Sequence, residues 1–180
     1  MEKKDPRYQA YIQILKEELI PAMGCTEPIA LAYAAAVARK TLGEMPDKVV
    51  VEASGSIIKN VKSVIVPNTG HLKGINAAAA AGIVAGDPDK KLEVIATVSQ
   101  EQIRQMKQFM EEVPIQVVHM EDGCTFDIIV TVFSGKSYAK VRIANFHTNI
   151  VLIEKKRLWL NLTLRKLADF PAQLLMFLCR

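Results

Sequence analysis

The feature that most constrains the fold is a run of strand-like segments in the second half of the chain, which follows a first half dominated by helical patterns. The later segments are "PIQVVHM", "FDIIVTVF", "SYAKVRIAN" and "NIVLIE", and the turn at Ser134-Gly135-Lys136 joins the middle two. Three earlier segments, "KVVVEAS", "SVIVP" and "LEVIATV", are also predicted as strands. Helices followed by a run of strands indicate an α+β domain, in which helices pack on a mixed β-sheet.

Two helices are predicted before the first strand. An amphipathic helix is expected from Arg7 to Ile20, and a second from Thr26 or Glu27 to Leu42, closed by Gly43. The second contains a run of alanines at 34–36, whose small side chains predict close packing against a neighbour.

Two further helices are predicted among the strands. The small-residue segment "LKGINAAAAAGIVAG" should form a helix that ends at Gly86. In "SQEQIRQMKQFMEE", Ser99 and Gln102 have the spacing of a capping box.

Composition excludes several classes of function. Half of the 180 residues are apolar and no run reaches the roughly 18 residues of a membrane span, so no membrane partner is expected. Three widely spaced cysteines do not predict a disulfide framework, and the charged N-terminus is unlike a signal peptide, so a cytoplasmic location is expected. The net charge of +4 comes from the basic residues after position 154; the rest is nearly neutral, and no nucleic-acid partner is expected.

Known metal and nucleotide motifs are not matched. The segment "SGKS" is not a P-loop, because Val130 stands where that motif needs glycine and a strand-like segment follows. The three histidines are far apart and no Cys-x-x-Cys pair occurs, so no metal ligands are assigned.

The segment "GCTEP" sets Cys25 directly ahead of the second helix. The N–H groups at a helix start favour negative charge and typically lower a thiol's pKa. Thr26 is expected to cap the helix, and Glu27 stands in its first turn. Two interpretations are open, a reactive thiolate that acts as base or nucleophile, and a buried cysteine beside an ordinary helix cap.

Two loops have the composition of anion-binding sites. The segment "SGSIIKN" follows a predicted strand, and "PNTGHLKG" stands between a strand and a helix. Their polar residues would suit the carboxylate of an amino acid, but Asn and Gly also satisfy tight turns without a ligand. In "FHTNIVLIE", His147 is either a general acid or base or a hydrogen-bonded structural residue.

Taken together, "MGCTEPIALAYAAA", "SGSIIKNVKSVIVPNTGHLKGINAAAAAGIVAGD" and "HTNIVLIEK" resemble the N-terminal half of L-cysteine desulfidases, which group with iron-sulfur serine dehydratase alpha-chain-like proteins. The resemblance implies an α,β-elimination that converts L-cysteine to hydrogen sulfide, pyruvate and ammonia. It also implies a [4Fe-4S] cluster that acts as a Lewis acid in the intact family. The cluster ligands would lie outside this chain, which is therefore expected to bind no cluster itself.

The resemblance gives candidate roles to residues of this sequence. Cys25 would be the catalytic thiolate, with His147 as a second catalytic residue. The candidate substrate-binding residues are Thr26, Glu27, Ser54, Lys59, Asn60, Asn68, Thr69 and Gly70. Two residues depart from the family pattern, since Ser56 stands where asparagine is expected and His71 where glycine is common.

The end of the chain departs more strongly. Residues 1–154 are expected to form the N-terminal half of such a domain, incomplete relative to the full-length fold, and residues 155–180 a divergent basic and apolar tail. The hypothesis for the tail is a frameshift or premature stop in a longer gene. Its apolar end would favour association into a homo-oligomer.

Three functional hypotheses follow. The first is a fragment of a carbon-sulfur lyase that is inactive alone and takes L-cysteine or an L-serine-like amino acid. The second is a non-catalytic amino-acid-binding or interaction module that retains the fold. The third is a redox sensor that uses Cys25.

Overall fold

A computed structural model describes residues 3–19 and 21–157. The elements in chain order are α1 (Pro6–Glu18), α2 (Thr26–Leu42), β1 (Lys48–Ser54), α3 (Gly55–Val61), α4 (Gly74–Ala85), a 3₁₀ helix (Pro88–Glu93), α5 (Gln100–Glu112), β2 (Ile115–Met120), β3 (Asp127–Ser134), β4 (Ser137–Ala144) and β5 (Ile150–Arg157).

The five strands form one mixed sheet in the order β2-β1-β3-β4-β5. The strands β1 and β2 are parallel, and the other neighbours are antiparallel. Helix α2 packs on β3, β4 and β5, and α4 packs on α2. The predicted α+β class, a mixed sheet with packed helices, is confirmed.

Alternate residues of the central strands face the helices. In β1 and β3, Val49, Val51, Val130 and Val132 are fully buried. Burial of such side chains contributes about 1.5–3 kcal/mol each relative to exposure. This apolar period of two sets the register of the sheet.

The small residues of α2 and α4 let the two helices approach closely, as predicted. A Cβ atom on Gly82 would lie 2.0 Å from the carbonyl oxygen of Ala32. Ala78 to Ala81 are fully buried. Any larger side chain at position 82 would force the helices apart.

Local helix-end signals are confirmed. The Ser99 side chain accepts from the Gln102 N–H and the Gln102 side chain accepts from the Ser99 N–H, which is a complete capping box. Gly43 ends α2 with a left-handed φ of 88°. The predicted amphipathic helix α1 begins at Pro6 after the Asp5 cap, and its apolar Tyr11 and Leu15 are more than half exposed.

Two predicted strands are wrong. The segment "SVIVP" makes only an isolated bridge, between Ile65 and Lys73, and "LEVIATV" lies in the end of the 3₁₀ helix and the turns after it. Their apolar side chains are nevertheless buried, Val66 and Ile95 completely. Apolar β-branched residues are favoured wherever side chains are buried, whether or not the backbone pairs in a sheet. These two segments are buried as loops that pack on the core.

The sheet continues past the expected domain boundary at residue 154, because β5 extends to Arg157. The remainder of the predicted tail, residues 158–180, lies outside the described residues. Within residues 3–19 and 21–157, no helix is long and apolar enough to cross a membrane.

Candidate functional site

The candidate site lies at the end of the sheet where β1 and β4 finish and β3 and β5 begin. Cys25 is the N-cap residue of α2, with φ −60° and ψ 121°, and no side chain caps this helix. The expected cap by Thr26 is therefore wrong, because Thr26 is already the first helical residue. Gly24 precedes it at φ 146°, where a Cβ would lie 3.2 Å from Pro67 Cγ. Glycine thus lets the Cys25 turn lie against the loop at 66–70.

The thiol of Cys25 does not lie free at the helix start. Its Sγ donates a hydrogen bond to Glu27 Oε2 over 3.0 Å, and Cys25 is exposed. Partial loss of hydration around the sulfur raises the pKa of the Cys25 thiol, and the hydrogen bond to the Glu27 carboxylate and its negative charge raise it further, against the opposing backbone N–H of Glu27.

This direction favours a protonated thiol at Cys25 over the expected thiolate. Burial of the sulfur, together with the carboxylate two residues along the chain, outweighs the backbone N–H of Glu27 that lowers the pKa of the thiol. The same hydrogen bond lowers the pKa of Glu27, so at neutral pH the pair is a protonated thiol and an ionised carboxylate. Because redox-sensing cysteines are low-pKa thiolates, this state also disfavours the sensor hypothesis.

Two distant segments bring further predicted residues to this pair. From α3, Asn60 Nδ2 donates to Glu27 Oε1 over 3.4 Å. From the loop between β4 and β5, His147 is near enough for its charge to lower the pKa of Glu27. The His147 ring rests on Phe126, with ring centroids 4.5 Å apart. Cys25, Glu27, Asn60 and His147 form what we call the thiol–carboxylate cluster.

Ser54 takes a structural role. Its hydroxyl, on a residue 7% exposed, donates to the Thr125 carbonyl over 2.7 Å. Ser56 donates to the same carbonyl and lies 3.1 Å from Ser54 Oγ. The two hydroxyls tie the start of α3 to the loop between β2 and β3. Lys59 is exposed on α3.

In the loop at 66–74, the polar side chains bond to backbone carbonyls of the protein. Asn68 Nδ2 donates to the carbonyls of Ile95 and Ala96 over 3.0 and 3.1 Å. Thr69 is fully buried and donates to the Val66 carbonyl over 2.7 Å. Gly70 has a φ of 67°, and a Cβ there would meet Ile103 at 3.0 Å. These contacts agree with the interpretation of the loop as a tight turn whose polar groups stabilise the backbone.

Sequence reasoning missed the group that anchors the β2–β3 loop. Asp127 is fully buried and accepts two hydrogen bonds from Arg142, from Nε over 3.0 Å and Nη2 over 2.6 Å. It also accepts the Cys124 N–H over 3.2 Å. The signal in the sequence was Asp127 at the start of an apolar strand. A carboxylate that is buried there needs a positively charged partner, and Arg142 on the neighbouring strand provides it.

The described residues do not fit an iron–sulfur cluster. A [4Fe-4S] cluster is typically held by four cysteine thiolates. The free cysteines of the described part are Cys25 and Cys124, and within that part no group of three or more His, Cys, Asp or Glu residues could hold a metal ion. Cys179 lies outside the described residues.

Comparison with known proteins corrects the resemblance drawn from the sequence. The chain is 59% identical over 155 residues to a UPF0597 protein of Desulfitobacterium hafniense (strain Y51), which covers 86% of this chain and 36% of that protein. A UPF0597 protein of Lachnoclostridium phytofermentans is 48% identical over 148 residues (82% of this chain, 36% of that protein), and one of Treponema denticola 44% over 149 residues (83% and 35%).

No family model matches the chain. No solved structure matches it either. The relatives carry the name UPF0597 rather than that of a cysteine desulfidase, so the assignment to the L-cysteine desulfidase family is wrong. The chain spans about a third of the length of the curated relatives it matches, and over most of its own length it is similar to proteins named UPF0597.

Proposed function

We propose that the thiol–carboxylate cluster binds a small amino acid and transfers protons during its α,β-elimination, with L-cysteine as the first substrate to test. The observation that carries the proposal is the hydrogen bond from Cys25 Sγ to Glu27 Oε2 at an exposed helix start. It pairs a proton donor with an ionised acceptor in a place that a small molecule can reach. Paired groups with opposed pKa shifts are typical of sites that move protons.

In this proposal Cys25 acts as an acid, rather than as the base suggested by the sequence. Glu27 is ionised and would pair with the substrate's ammonium group, and Asn60 orients its other oxygen. His147, the remaining basic group of the cluster, would accept the α-proton in its neutral form as the Cα–H bond breaks, and would thereby gain the positive charge that lowers the pKa of Glu27. The Cys25 thiol would give its proton to the departing sulfur, so hydrogen sulfide leaves, and would recover a proton from His147.

The proton balance closes without an added oxidant or reductant. Loss of the α-proton and of the β-sulfur leaves aminoacrylate, whose imine tautomer reacts with water to give pyruvate and ammonia. No step runs through an iron–sulfur cluster, because the described residues do not fit one. The proposal includes a cytoplasmic location, where the environment keeps a free thiol reduced. It includes neither nucleic acid nor a membrane as a partner.

We propose the activity for the longer protein that contains this site, because this chain spans 36% of the relative from Desulfitobacterium hafniense. Release of sulfide and pyruvate from L-cysteine should be measured anaerobically for this chain and for that longer relative. Each should be assayed before and after iron–sulfur reconstitution, with L-serine as the competing substrate.

Binding is tested separately by protection of Cys25 from iodoacetamide. L-serine, which has no thiol to consume the reagent, should slow alkylation of Cys25 but not of Cys124, which serves as the internal control. Protection without turnover in either chain would support the non-catalytic amino-acid-binding module. Absence of protection would overturn the proposed site.

A further inference from the structure

A cavity of about 350 Å³ lies where the C-terminal parts of α2, α4 and α5 meet, and we call it the helix-end cavity. Its volume is in the range of small-molecule sites in proteins. None of the substrate-binding residues predicted from the sequence lines it. The lining residues come from the three helices and from the loop after α2, and they are Arg39, Met45, Val84, Gln105, Gln108, Phe109 and Glu112.

We propose that the helix-end cavity is a second amino-acid site, which binds a free α-amino acid with an apolar side chain, such as L-leucine. Arg39 holds the carboxylate and Glu112 the ammonium group, while Val84 and Phe109 contact the side chain. Along α2, Arg39 lies about 20 Å from Cys25, at about 1.5 Å per residue. The site is therefore separate from the thiol–carboxylate cluster and does not depend on the reaction proposed there.

The apolar part of the cavity is formed in advance by packing. Phe109 is 6% exposed, and Val84 packs partly buried against the hydrophobic core. Met45 is 47% exposed, and its flexible thioether can adapt to ligand side chains of different shape. An apolar ligand side chain would cover Met45 and remove apolar surface from water, which favours binding.

Two opposite charges line the same cavity without pairing with each other. Arg39 is exposed, and within the described part of the chain its guanidinium has no hydrogen-bond or ion-pair partner. Glu112 accepts a hydrogen bond at Oε1 from Gln108 Nε2 over 2.7 Å, which leaves Oε2 to another donor. The gap between the two charges suits a ligand that carries both a carboxylate and an ammonium group.

The helix ends add a field that orients such a ligand. The C-terminal end of a helix carries partial negative charge, which favours cations. The last turn of α2 is basic, whereas the last turns of α4 and α5 contain no basic residue. The ammonium group is therefore directed toward α4 and α5, where Glu112 lies, and the carboxylate toward Arg39 on α2.

A zwitterion fits this arrangement better than a ligand with a single charge. An anion alone would pair with Arg39 but would also lie beside Glu112 and the negative ends of the helices. A cation alone would pair with Glu112 but would be repelled by Arg39. A free amino acid satisfies both groups at once.

The test measures the affinity of the full chain for L-leucine by ligand-observed NMR titration, with folding checked by circular dichroism. Arg39→Gln and Glu112→Gln should each weaken binding about tenfold, because each removes one charged contact. The charge-matched controls are Arg104→Gln and Glu111→Gln, at exposed positions of α5 that do not line the cavity. Both controls should leave the affinity unchanged.

Two leucine derivatives assign the two contacts. N-acetyl-L-leucine has no ammonium group, so its weaker binding should respond to Arg39→Gln but not to Glu112→Gln. L-leucinamide has no carboxylate, so its binding should respond to Glu112→Gln but not to Arg39→Gln. The reverse pattern would contradict the proposed orientation.

Other outcomes overturn the site itself. Binding of L-leucine that is weakened by Glu27→Gln but not by Arg39→Gln would place the ligand at the thiol–carboxylate cluster. Unchanged affinity in both cavity variants, or no binding at millimolar L-leucine, would exclude the helix-end cavity as an amino-acid site. These results are independent of the protection of Cys25 by L-serine, which tests the cluster alone.

Discussion

The thiol–carboxylate cluster and the loop at 66–74 both contain residues that were predicted to bind an amino acid, but their polar side chains have different partners. In the loop, Asn68 and Thr69 donate inward to backbone carbonyls. In the cluster, Cys25 and Glu27 bond to each other at an exposed position. Polar groups already paired with buried backbone stabilise the scaffold, whereas exposed side chains paired only with each other remain available to a ligand.

The largest expected effect comes from breaking the loop. Asn68→Ala removes both hydrogen bonds to the carbonyls of Ile95 and Ala96 and leaves the fully buried Ile95 without that donor. We expect a loss of about 3 kcal/mol in the free energy of unfolding. Urea denaturation measures it.

The matched control for that variant is the asparagine of the cluster. Asn60→Ala removes only the exposed, 3.4 Å hydrogen bond to Glu27. It should cost less than about 0.5 kcal/mol. Equal losses for the two alanine variants would contradict the distinction between scaffold and site.

A smaller gain should come from relieving strain in the same loop. His71 has a left-handed φ of 69°, which costs a residue with a Cβ atom but not glycine. His71→Gly should raise the free energy of unfolding by about 1 kcal/mol. Lys73, two residues later and at φ −125°, needs no glycine, so Lys73→Gly should lower stability. A loss with His71→Gly would show that its side chain matters more than its backbone.

In the thiol–carboxylate cluster, a substitution should change the reactivity of the Cys25 thiol more than the stability of the fold. Glu27→Gln removes the negative charge and the hydrogen bond that raise the pKa of the Cys25 thiol. At pH 7 more of the thiol is then ionised, and alkylation of Cys25 by iodoacetamide should accelerate about threefold. Mass spectrometry of the Cys25 peptide gives the rate.

Glu44→Gln, beyond the other end of α2, is the charge-matched control and should leave the alkylation rate unchanged. A slower reaction in Glu27→Gln would mean that the carboxylate activates the thiol rather than holding its proton.

The smallest expected effect is on the pH dependence of stability. Glu27 has a pKa below its ordinary 4.5, so its stabilising contribution is present above that value and is lost as the pH falls through the lowered pKa. Cys25 has a pKa above its ordinary 9.0, so its contribution is present below that value and is lost as the pH rises through the raised pKa.

Each contribution should be under about 1 kcal/mol at this exposed position. Glu27→Gln should flatten the acid limb of a stability–pH curve and Cys25→Ser the alkaline limb. Unchanged limbs in both variants would mean that the pair does not form in solution.

Features that depend on neighbouring residues were predictable. The capping box of Ser99 and Gln102, the end of α2 at Gly43 and the alternating strands β3 and β4 were all predicted correctly. The segments "SVIVP" and "LEVIATV" were predicted wrongly as strands, because a run of apolar β-branched residues also occurs in buried loops. For the site, the sequence indicated Cys25 and Glu27 but not that the carboxylate would turn back to the thiol.

The sequence by itself determined the capping box of α5, the end of α2 at Gly43, the apolar period of the strands and the place of Cys25 before α2, since these depend on interactions within a few residues. Only the tertiary structure decided the rest. It brought Asn60 and His147 to Glu27 from distant segments, directed Asn68 and Thr69 into the scaffold, and partly buried the Cys25 sulfur, which raises the pKa of the thiol. Hydrogen-bond partners and local charge set a pKa, and for this cluster they come from three separate parts of the chain.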